Sequence, residues 1–73
     1  MKQRRTSIVQ SVVFPKKDFS QRTALLWLMN HGYNFNKVDI TPNTYRFRQH
    51  EPSPGLSYYS KTLHNGVILV IHQ

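Results

Sequence analysis

Hydrophobic and polar positions fall along this chain in short blocks, and each block has the period of one structural element. From Ser7 to Phe14 the segment "SIVQSVVF" is dominated by β-branched residues, with polar Gln10 and Ser11 set among them. That composition predicts a strand, and Pro15 closes it because proline cannot donate to a ladder. "KKD" follows as a solvated turn. Ser20 is placed to cap a helix over "QRTALLWLMNH", since its hydroxyl can accept one of the orphan N–H groups of the first turn. Ala24, Leu25, Leu28 and Met29 recur at i, i+1, i+4 and i+5, which predicts one apolar side. Leu26 and Trp27 flank that stripe, and one of them is expected to be only partly covered. Gly32 suits the position after the helix end, where a positive φ is needed, and His31 in the last turn complements the helix dipole.

Beyond the helix the period changes to two. "KVDIT" sets Val38 and Ile40 on one face and Asp39 on the other, and "TYRFRQ" separates Tyr45 and Phe47 from Arg46 and Arg48 in the same way. "TPNT" carries Pro and Asn in the order of a reverse turn, so the two stretches are predicted to pair as a hairpin. Two prolines and a glycine in "HEPSPG" forbid a regular ladder there. "LSYYSKTL" predicts another strand, and Asn65-Gly66 predicts a tight turn from it into "VILVI". That apolar run implies a strand covered on both faces, or central in its sheet. The element order is β-α-β-β-β-β, an α+β fold with one helix packed on a small mixed or antiparallel sheet. Residues 8–73 read as a single domain and residues 1–7 as a flexible basic arm. The second sheet face is expected to meet solvent or another copy of the chain.

Size and charge sharpen this picture. A chain of 73 residues is near the lower limit for a self-sufficient core, so a homo-oligomer is expected. No cysteine is present, which excludes a disulfide scaffold, thiol chemistry and a sulfur-ligated zinc site. No apolar run approaches the roughly 20 residues that span a bilayer, and the helix is neutral on its polar face beyond the first turn, so no membrane partner is expected. Gln10 and Ser11 also interrupt the apolar stretch after "MKQRRTS", unlike a signal peptide.

Ten Lys and Arg against three Asp and Glu give a net charge of +7, a balance that favours polyanionic partners. Arg46, Arg48 and Lys61 are the candidates for one nucleic-acid-binding stripe, with Lys2, Arg4 and Arg5 as a mobile arm. Strict alternation sends Tyr45 and Phe47 away from the arginines, which argues for phosphate contact rather than base stacking on this strand. Tyr58 and Tyr59 are adjacent, so one must face outward, where beside Lys61 it could stack on a base or join an interface.

Catalytic chemistry finds little support. There is no nucleophile elbow, no Gly-rich phosphate loop and no suitably spaced carboxylate pair, so neither an enzyme nor a cofactor is expected. His31, His50, His64 and His72 lie in four separate segments without metal-ligand spacing, so no metal site is expected.

The segments "FPKKDFSQRTALLWLMNHGY", "VDITPNTYRFRQ" and "KTLHNGVILVI" resemble short uncharacterised domains of tailed phages and large DNA viruses. Some of those domains are joined to phage head proteins described as proteases. The resemblance rests on Phe19, Ala24, Trp27, Leu28, His31, Gly32, Tyr45, Arg46, Arg48, Gln49, Pro52 and Gly66, and runs from about Val12 onward. It implies a viral or phage accessory domain and carries no catalytic residues to this chain. One departure is that the relatives are richer in helix acids, whereas Ser20 to Gly32 contains none. The expected function is a small basic non-catalytic module that binds a polyanion, DNA or RNA. The alternative is a structural component of a virus particle, or a self-assembling interaction protein. The expected location is host cytoplasm, host nucleus or the particle itself.

Overall fold

The computed structural model describes residues 8–51, 55 and 57–72, and its elements follow the expected order. They are β1 (Ile8–Pro15), α1 (Gln21–His31), β2 (Val38–Ile40), β3 (Thr44–Arg48), β4 (Tyr58–Thr62) and β5 (Ile68–His72). The strands form one five-stranded sheet in the order β2-β3-β1-β5-β4, with every neighbouring pair antiparallel. β1 and β2 are each antiparallel to β3 and therefore parallel to one another. The helix supplies the crossover that two parallel strands require.

α1 is defined at both ends by side-chain and backbone chemistry. Ser20 Oγ accepts from Thr23 N at 3.1 Å, and Ser20 N donates to Thr23 Oγ1 at 2.9 Å, a reciprocal capping box. Gly32 adopts φ 76°, Tyr33 N donates to Leu28 O at 3.0 Å, and Gly32 N to Met29 O at 3.4 Å. These two bonds satisfy carbonyls that the helix leaves open. At the other tight turn Gly66 has φ 97°, and Asn65 Oδ1 accepts from Val67 N at 3.2 Å.

The core lies between α1 and one sheet face. Val12, Phe14, Phe47 and Val67 meet Ala24 and Leu28 there, and all six are buried. Each large side chain contributes about 1.5–3 kcal/mol through burial. Phe14 is the hub, with edge-on ring contacts to Phe19 at 5.1 Å, Trp27 at 5.8 Å and Phe47 at 5.6 Å. Met29 is not part of this core. It is 58% exposed, because Trp27 and Leu25 rather than Met29 pack beside Ala24 and Leu28 against the core. On a helix of 3.6 residues per turn Met29 lies roughly 140° from Ala24. Leu26, on the far side, is 48% exposed.

The most buried strand is β1, buried from Gln10 to Phe14, rather than the more apolar β5. The pairing of β1 with β5 shifts register between Val9 and Ser11, a bulge that lets Val9 and Val12 both face the helix. The polar residues at the bulge are buried but satisfied. Ser11 Oγ donates to Gln10 Oε1 at 2.6 Å, and Gln10 Nε2 donates to His50 O at 2.8 Å. β5 is second from the edge, with Leu69 and Ile71 toward the helix. Ile68 and Val70 are half-buried on the opposite face.

Candidate functional site

Strand register decides which side chains share the open face, the one opposite α1, because directly paired residues point to the same side of a sheet. One row across that face runs Thr62, Ile68, Val13, Arg46 and Asp39. A second runs Ser60, Val70, Ser11 and Arg48, and a third joins Tyr58, His72 and Ile8. The open face therefore has an aliphatic centre of Val13, Ile68 and Val70. Its β3 flank is charged, and its β4 flank carries hydroxyls.

Arg46 and Arg48 share this face, as the alternation in "TYRFRQ" requires, but they are not equivalent. Arg48 Nη2 donates to Asp39 Oδ2 at 2.8 Å, and its Nη1 to Glu51 Oε2 at 3.4 Å. Lys37 Nζ lies 3.8 Å from the same Glu51 oxygen. The hydrogen bond and charge of Asp39, followed by the charge of Glu51, hold the Arg48 pKa above its ordinary value. Two of the chain's three acids are thus engaged with Arg48. Arg46 pairs with Asp39 in register, yet Asp39 reaches diagonally to Arg48 instead. Arg46 is exposed and, among the described residues, makes no ion pair.

Between these groups lies a shallow depression of about 450 Å³, lined by Gln10, Ser11, Asp39, Arg46, Arg48, Glu51, Tyr58 and Val70. Tyr58 stands edge-on to His72 at 5.2 Å, and His72 is itself 5.8 Å from the His50 ring. Aromatic groups and arginines therefore do share a surface, although they come from different strands. Sequence alternation within β3 could not reveal this, because Tyr58 arrives from the far side of the sheet. The link between Asp39 and Arg48 had a legible signal: hairpin pairing of two alternating strands puts Asp39 on the arginine face.

Lys61 does not complete the stripe. It pairs with Leu69, which pairs with Val12, so Lys61 points to the helix side of the edge strand. Tyr59 shares that side with it, and the outward Tyr58 does not stand beside Lys61. Lys2, Arg4 and Arg5, and with them the basic arm of residues 1–7, lie outside the described residues. Among the described residues, no group of three or more His, Cys, Asp or Glu is placed to hold a metal ion. No helix among them is long and apolar enough to cross a membrane.

The chain matches no family model, no curated protein and no solved structure. Its site is therefore read from its own chemistry. The face offers one uncommitted guanidinium, one guanidinium fixed in direction by carboxylates, hydrogen-bonding groups at the rim, and a tyrosine. Such a surface suits an extended ligand that carries negative charge.

Proposed function

We propose that this protein is a small, non-catalytic binding module that holds nucleic acid against its open sheet face through phosphate contacts. The viral or phage accessory role implied by its resemblance is part of this proposal. The observation that carries the reading is Arg46, an exposed guanidinium without an acidic partner among the described residues, beside Arg48 on the sheet face opposite α1. Arg46 would contact a phosphate directly. Arg48 would contribute less, because a phosphate must compete there with Asp39 and Glu51. Binding by charge neutralisation releases counterions, so affinity must fall steeply as salt rises.

The test is fluorescence anisotropy of a labelled single strand and a labelled duplex, titrated with the protein at several salt concentrations. The expected result is binding at low salt whose logarithmic affinity falls linearly with the logarithm of salt concentration. Absence of binding at low salt, or affinity independent of salt, refutes the proposal.

A second reading has its own support. On the same face the half-buried Ile68 and Val70 flank the buried Val13, and these two offer the aliphatic contact for a protein surface in an assembly or virus particle. A defined protein complex that ignores nucleic acid would favour it.

A further inference from the structure

A second depression, of about 310 Å³, adjoins the one on the open face and shares Arg48 and Glu51 with it. Asn34, Asn36, Lys37, Gln49 and His50 complete its lining. These residues come from two short segments, the loop that leads from α1 into β2 and the chain that leaves β3. Gln49 ties the two together. Asn34 N donates to Gln49 Oε1 at 2.8 Å, and Gln49 Nε2 donates to Asn34 O at 2.9 Å. Arg48 N also donates to Lys37 O at 3.0 Å. The two walls are thus fixed to each other before any ligand arrives.

The chemistry of this depression differs from that of the open face. Gln49 uses its carboxamide to hold the loop. The side-chain amides of Asn34 and Asn36 are exposed and make no hydrogen bond among the described residues. A carboxamide offers a donor and an acceptor side by side, the pattern that matches the edge of a nucleobase. His50 adds a ring on which a base can stack. Lys37 Nζ is 3.8 Å from Glu51 Oε2, with the side chains 69% and 68% exposed, so this pair yields readily to a phosphate. Glu51 itself, common to both depressions, repels phosphate. A nucleic-acid backbone that crosses from one depression to the other therefore sets its phosphates at Arg46 and Lys37, on either side of Glu51.

We propose that the second depression holds an unpaired base of a single strand whose phosphate is contacted by Arg46. The Asn34 and Asn36 amides meet the edge of that base, and Lys37 meets a neighbouring phosphate. The inference rests on the reading of the open face as a nucleic-acid surface and adds the class of ligand, a single strand recognised partly through its bases. Arg46 and Arg48 stand roughly 7 Å apart along β3, about the length of one nucleotide in an extended strand. A strand that follows β3 from Arg46 thus reaches the second depression within a few nucleotides. A base inside a duplex cannot enter it without leaving its stack and its partner.

The experiment is fluorescence anisotropy at low salt on the intact protein, with two labelled single strands of equal length and charge. One has a natural mixed sequence and the other is abasic throughout. The natural strand should bind about tenfold more tightly, the size of one stacked and hydrogen-bonded base. Asn34→Ala combined with Asn36→Ala should remove most of that preference and leave the abasic strand's affinity unchanged. Both asparagines are exposed, so the double variant should keep the wild-type circular dichroism spectrum. Arg46→Ala should weaken both strands alike. Equal affinity for the two strands, with Arg46→Ala weakening both, overturns the inference and leaves the phosphate reading standing. So does a preference for the natural strand that is undiminished in the double variant. No binding of either strand overturns the inference and the phosphate reading together.

Discussion

At the scale of single residues, Arg46 and Arg48 are two positions apart on one strand and one face, yet they have different work available to them. Arg48 is held by Asp39 at 2.8 Å and Glu51 at 3.4 Å, whereas Arg46 is exposed with no such partner among the described residues. Arg46→Ala should therefore weaken nucleic-acid binding about tenfold, the size of one charge-assisted contact, and lower the salt slope by about one. Arg48→Ala should cost less. Asp39→Asn should act in the opposite direction, because it removes a negative charge and releases Arg48 from its shortest contact. A several-fold gain in affinity and a steeper salt dependence, measured by anisotropy on the same oligonucleotide, are the expected outcomes. The facing of both arginines was legible from alternation alone. Their inequality was not, because it depends on a diagonal reach to β2 and on Glu51, which follows β3 in the chain.

At the scale of elements, local chemistry explains what the sequence made readable. Ser20 and Gly32 mark the helix ends through a capping box and a left-handed turn, and both signals need only neighbouring residues. Ser20→Ala should lower stability by about 1 kcal/mol, read as a reduced midpoint in urea unfolding with an unchanged slope. The side of the helix that faces the core was harder to read. Apolar spacing alone admitted Met29, but Phe14 draws Trp27 inward at 5.8 Å, so Trp27 takes the place beside Ala24 and Leu28 on the core side. Two adjacent tyrosines likewise left the parity of β4 open. Register with β5 turns Tyr58 to the open face and takes Lys61 away from the arginines. A one-residue ambiguity in a strand reverses every side chain, so that correction follows from the pleat itself.

At the scale of the molecule, the position of β1 governs the rest. Two hairpins, β2-β3 and β4-β5, could be read from their turns, but the insertion of β1 between them has no local signal. Its polar pair, Gln10 and Ser11, disguised a central strand, and their mutual hydrogen bond is what allows them to be buried there. With β1 central, the one helix among the described residues covers one sheet face. The other face keeps its aliphatic centre and its arginines together. Three of the ten basic residues, Lys2, Arg4 and Arg5, belong to the segment before β1, so the charge available to a polyanion is not confined to the sheet.

Amide chemical shifts would locate bound nucleic acid on this protein residue by residue. Isotope-labelled protein would be titrated with a short single-stranded oligonucleotide at low salt. Binding at the open face should concentrate shifts at Ser11, Val13, Arg46, Arg48 and Val70, reversed by added salt, with the amides of α1 unmoved. Shifts centred on α1, or none at any residue of the open face, would contradict it.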